Sequence, residues 1–105
     1  MIIMKNDNTI DITYFWDAPE EDIIEIINQV DKELNSFNDT EEIFIRVHVE
    51  DMSVSLFIYF MKMIQKKNIK VGVKQTTYDM IKRKSDRATE VTNHTIFDID
   101  KFYVF

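Results

Sequence analysis

His48, Glu50, Asp51 and Ser53 fall within one six-residue run, His48-Val49-Glu50-Asp51-Met52-Ser53. A histidine beside two carboxylates is a donor set that could hold a metal ion or move protons, the reading of a hydrolase or metal enzyme centred on His48. Ser53 and Ser55 offer hydroxyls that could accept a phosphate. An ordinary structural reading stands beside these. Strand alternation puts Arg46, His48 and Glu50 on one polar face and Val47 and Val49 on the other, and Asp51 caps the helix that follows. Ser53 and Ser55 then serve as capping and small packing residues. Catalysis at His48 needs convergent partners, and His94 is the only other histidine.

The run sits where a strand meets a helix, the turn at which open α/β sheets place their ligands. Ile43, Phe44, Ile45, Val47 and Val49 predict the strand. Val54, Leu56, Phe57, Ile58, Phe60, Met61, Met63 and Ile64 predict a helix from about Ser53 to Lys67 that is apolar nearly all round. Such a helix must be covered on more than one side, by the rest of the chain or by a second subunit. Leu56, Phe57 and Phe60 are therefore candidate interface residues. Upstream, "TIDITYFW" alternates as a strand, with Tyr14, Phe15 and Trp16 expected in the core, and Met1 to Lys5 can pair with it across the turn "NDN". Asp17 and Glu20 predict the start of a helix whose apolar face is Ile23, Ile26, Ile27, Val30 and Leu34. Downstream, Ile69, Val71 and Val73 predict another strand. Thr76 or Thr77 opens a short helix through Lys84, and "SDRATEVTNHT" reads as loop, with room for a strand at 89–92. The tail "IFDIDKFYVF" predicts a docked final strand. Tyr103 and the tail phenylalanines fit either core or docking peptide. Strand–helix–strand–helix–strand implies one α/β domain over 1–105, a mostly parallel sheet built from βαβ units with two main helices.

Composition narrows the chemistry. Without cysteine there are no disulfides, thiolate metal sites or cysteine nucleophiles. Gly72 and Pro19 are the only residues of their types, which argues against glycine-rich phosphate loops. No cofactor is implied. The longest apolar run, Leu56 to Met61, is far too short to span a membrane. The opening "MIIMKNDNTIDITYFW" lacks the basic region and long apolar run of a signal peptide, so the expected compartment is the cytoplasm. Charge is uneven: residues 1–51 hold fourteen acidic and three basic side chains, whereas 52–105 hold five acidic and ten basic ones. The basic patch comprises Lys66, Lys67, Lys70, Lys82, Arg83 and Lys84. A dipolar molecule of this kind suits head-to-tail association or an acidic partner. Nucleic acid is the less favoured partner, because the chain carries a net charge of −6 and no aromatic ladder interleaves with the lysines.

From Ile12 to about Val73 the order and spacing of these elements resemble the first units of the Clp protease proteolytic subunit, in the crotonase-like superfamily. "EEIFIRV" stands where that family has a central strand, and Glu50-Asp51-Met52 where it has a proline–glycine–glycine turn. Ser53-Val54 opens the helix and "IKVGVK" takes the place of the next strand. The resemblance implies that fold, and it implies loss of activity. The glycine amides of the family's oxyanion hole are replaced by Asp51 and Met52, and a carboxylate there opposes an oxyanion. The family's nucleophilic serine falls near Ile81, Ser85 lacks its glycine–alanine setting, and its histidine and aspartate lie at or beyond Phe105. The expected protein is a truncated, catalytically degenerate relative acting through protein–protein contact, self-association included. A second resemblance is to STAS (anti-sigma-factor-antagonist) domains, which run strand, strand, helix, strand, helix, strand, helix. It implies a regulatory domain controlled at Ser53 or Ser55, although the family's "DSSGLG" is here "EDMSVSLF" on a shorter connection.

Overall fold

The computed structural model of the chain describes residues 2–92 and 99–105, and for 88–92 the backbone alone. The elements are β1 (Ile2–Asn6), β2 (Thr9–Thr13), α1 (Glu20–Leu34), β3 (Ile43–His48), α2 (Val54–Ile64), β4 (Ile69–Val73), α3 (Gln75–Thr92) and β5 (Phe102–Val104), with a short 3-10 turn at Ile99–Lys101. The five strands form one sheet in chain order. β1 and β2 are an antiparallel hairpin, and β2 to β5 are parallel. At the hairpin tip Asp7 adopts φ 52°, a left-handed conformation that aspartate tolerates better than most residues.

Sheet order that follows chain order, with right-handed crossovers, puts every helix on one face. Strand burial agrees: Ile10 and Ile12, Ile43, Ile45 and Val47, and Ile69, Val71 and Val73 are buried, while their alternates are half-wet or exposed, except Gly72, which is buried beneath Tyr103 and Phe105. The buried set meets Ile23, Ile26, Val30 and Leu34 of α1, at the spacing expected of one helical stripe. α2 is the middle helix of the layer, because it links the middle strands β3 and β4. This buries Leu56, Phe57, Phe60, Met63 and Ile64 without a second subunit, while Val54 and Ile58 stay exposed on the outer side of the helix. Leu56 and Phe60 are fully buried and Phe57 is 7% exposed, its ring 6.0 Å from that of Phe102 in β5. The three candidate interface residues are therefore core.

The other departures are local. α1 begins at Glu20 with Pro19 at its N-cap and no side-chain cap, so Asp17 does not cap it. α3 runs to Thr92, well past Lys84, and replaces the expected loop and the strand at 89–92. Its inward stripe is Thr77, Ile81 and Ser85 at i, i+4 and i+8, with small polar members that hide the periodicity. The straight-chain lysines and arginines between them propagate a helix well. The tail docks as β5, in register with β4. Asn93, His94, Thr95 and Ile96 to Asp98, part of the expected loop and tail, lie outside the described residues. Among the described residues no helix is long and apolar enough to cross a membrane.

Candidate functional site at the carboxyl edge of the sheet

Two chain reversals leave the carboxyl edge side by side, one after β2 and one after β3. In the first, Tyr14 turns inward and is buried, while the chain bends at Phe15–Ala18, where the Ala18 N–H donates to the Phe15 carbonyl at 3.0 Å. A four-residue turn of this kind lifts its corner off the surface. Phe15 is 78% and Trp16 79% exposed. These two were expected in the core with Tyr14. Strand alternation stops at Thr13, however, and the turn carries both rings into solvent. Every other aromatic side chain described is at least partly buried.

The second reversal is the His48 to Ser53 run, and hydroxyls from two other elements tie it down. The Met52 N–H donates to Thr77 Oγ1 at 3.1 Å, and the Thr77 hydroxyl donates onward to the Glu50 carbonyl at 2.7 Å. The Ser53 N–H donates to the Tyr14 hydroxyl at 3.0 Å. Burial raises the Tyr14 pKa, and the Ser53 amide opposes that rise, so the phenol stays neutral. Of the two positions that the resemblance set in place of the oxyanion-hole glycines, Asp51 and Met52, the Met52 amide is engaged inside the protein, as is that of Ser53 beside it. Ser53 occupies the N-cap of α2 without a side-chain cap bond, and Asp51 is exposed. The capping role expected of Asp51 thus passes to no side chain. Thr77 and Tyr14 hold the turn instead.

His48 faces away from all this. It lies on the open face of the sheet, its Nε2 2.8 Å from Asp11 Oδ1, and its ring packs edge-on against Phe105 with centroids 4.9 Å apart. Arg46 donates to both oxygens of the same carboxylate, from Nε at 2.8 Å and from Nη2 at 2.9 Å. The Arg46 hydrogen bond chiefly, and His48 after it, hold the Asp11 carboxyl below its ordinary pKa against the opposing effect of burial. Ser53 starts a helix on the opposite face, so the sheet stands between the histidine and the serines. Ser55 Oγ donates to Glu20 across the α1–α2 seam. Asp11 was absent from the sequence reading, and register is what recruits it: Asp11 pairs with Arg46 across β2 and β3.

Between the two reversals lies a cleft of about 450 Å³ lined by Tyr14, Phe15, Trp16, Val49, Glu50 and Asp51. It joins two exposed rings to two exposed carboxylates, and no cation lines it. Such a surface can bury apolar contact area and attract positive charge. The expected basic patch divides between two elements. Lys66, Lys67 and Lys70 flank the α2–β4 connection, where Lys67 pairs with Asp39 at 3.0 Å and Lys70 with Glu42 at 3.9 Å. Lys82, Arg83 and Lys84 are exposed on α3. No family model, curated protein or solved structure matches this chain.

Proposed function

We propose that this protein is a non-catalytic protein-interaction module whose contact surface is the carboxyl edge of its sheet. The exposure of Phe15 and Trp16 on the rim of the cleft carries this reading. Among the described residues, the domain buries its other aromatic rings at least in part and leaves its two most exposed ones adjacent. Large apolar groups set beside a polar rim are the usual composition of a binding surface. The engaged amides of Met52 and Ser53 and the separation of His48 from the serines support the non-catalytic part. A photo-crosslinking residue at position 16 should capture one discrete protein in the native host, or a second copy of the chain, while the same residue at the exposed position 62, far along α2 from that edge, should not. Equal capture at both positions, or none at 16, overturns the reading.

A second reading is a STAS-like regulatory domain controlled at Ser53 or Ser55. The order β1, β2, α1, β3, α2, β4, α3 is the element order of those domains and supports it. Ser53 suits the role better, since Ser55 already donates to Glu20. A phosphate at Ser53 would meet the favourable N-terminus of α2 and the unfavourable carboxylates of Glu50 and Asp51. Intact mass after incubation with host kinases tests it: one added phosphate, lost in Ser53→Ala, is expected, and an unmodified chain removes the reading.

A further inference from the structure

The two charged halves of the sequence become two separate, uncommitted surfaces. At the carboxyl edge Asp17, Glu21, Glu50 and Asp51 are exposed and take part in no ion pair among the described residues. On α3, Lys82, Arg83, Lys84 and Arg87 are likewise exposed and form no ion pair among the described residues, although Asp79 and Asp86 line the same surface as Lys82 and Arg83; Lys5, Arg46, Lys67 and Lys70, by contrast, each hold a carboxylate. The fold prevents one molecule from joining the two surfaces. α3 starts beside the carboxyl end of β4 and runs back along the sheet. At 1.5 Å per residue, Lys82 lies about 10 Å and Arg87 about 18 Å down the axis from Gln75. The cations thus lie toward the amino edge, under the far side of the sheet from the β2 and β3 reversals.

We infer that the cleft at Phe15, Trp16, Glu50 and Asp51 receives the basic stretch of α3 from a second copy, so that copies associate head to tail. The inference rests on the reading of the carboxyl edge as a contact surface and names its occupant. The chemistry is matched on both sides: an ammonium or guanidinium group can lie over an indole or phenyl face while a carboxylate takes its N–H bonds. The chain already uses such contacts internally, with Lys5 4.5 Å from the Phe37 ring centre and Lys74 4.1 Å from that of Phe105. Because the two patches differ, the contact is heterologous and builds rings or open chains rather than a two-fold dimer. Exposed charges drive it, so salt must weaken it.

The test is the solution mass of the full chain by light scattering across a wide concentration range, at about 50 mM and about 500 mM salt. At low salt the mass should climb above the 12.6 kDa of one chain as concentration rises, and at high salt it should fall back. The double variant Glu50→Lys, Asp51→Lys and the triple variant Lys82→Glu, Arg83→Glu, Lys84→Glu should each be monomeric, with thermal melts showing that both fold. Mixing them should restore association, since each reversed patch then meets a complementary one. A monomer at every concentration overturns the inference, as does a mixture that stays monomeric. Association lost in Trp16→Ala but untouched by charge reversal also overturns it, yet leaves the carboxyl edge standing as the contact surface. Capture of a different protein at position 16 by a strictly monomeric chain separates the two claims in the same way.

Discussion

The two faces of the sheet are cut from the same strands and solve opposite problems. On the covered face Ile10, Ile45, Val71 and their neighbours meet three helices, and dry apolar packing supplies the stability. On the open face there is no helix layer, because strands in chain order with crossovers of one hand send every helix to the other side. The open face is roofed by its own side chains. Arg46 and His48 converge on Asp11, while Tyr103 and Phe105 lie over Gly72, where a Cβ would come within 2.8 Å of the Tyr103 ring and 3.0 Å of Phe105. Phe44 meets Tyr103 edge to face at 6.4 Å. A one-sided helix layer thus leaves a half-wet face that charge pairs and rings can hold. The two exposed rings at the carboxyl edge belong to neither arrangement.

Substitutions can break this contrast in graded steps. Phe60→Ala on the covered face should cost about 3–5 kcal/mol, read from urea unfolding, because its cavity is enclosed and cannot fill with water. Thr77→Val, where helix and edge meet, should cost about 2–3 kcal/mol by leaving the Met52 amide without its buried acceptor. On the open face Gly72→Ala should cost about 1–2 kcal/mol by displacing Tyr103, and Tyr103→Ala in the same chain should recover part of that loss. A full recovery would show that the ring alone occupies the space, and none would place the strain in the backbone.

Asp11→Asn probes the charge network through pH. The folded Asp11 carboxyl has a lowered pKa, so its contribution is complete above the ordinary carboxylate range and is lost as pH falls through that range toward the folded value. The melting temperature of the variant should therefore lie below that of the parent at neutral pH, and the gap should close under acid conditions. A gap independent of pH would mean that packing, not charge, holds Asp11 in place. Smallest of all, Phe15→Ser and Trp16→Ser should each change stability by less than about 0.5 kcal/mol, since neither ring is packed. Both variants should lose the self-association, and Phe15→Ser should also lose the crosslink formed from position 16. A large destabilisation would return these rings to the fold and remove them from function.

The alternating runs at Ile43–His48 and Ile69–Val73 and the apolar stripe of α1 were legible because a period of two or of 3.6 residues is a local property of the chain. The length of α3 was not legible, because its inward positions are Thr77, Ile81 and Ser85, and two of the three look polar on paper. The apolarity of α2 was legible, but what covers it was not. Only the placement of α1 and α3 on either side shows that Leu56, Phe57 and Phe60 need no partner.

The site divides in the same way. From its residue types and spacing alone, the chain determined a polar turn after β3, the absence of glycine and cysteine chemistry there, and an acidic half followed by a basic half. The tertiary structure decided which residues meet. It joined Asp11 to Arg46 and His48 across 35 and 37 residues, put Tyr14 and Thr77 on the amides of the turn, and lifted Phe15 and Trp16 clear of the core. Periodicity says which side of an element a residue occupies. Strand register and the path of a connecting turn decide what lies opposite, and both are set by pairings distant in sequence.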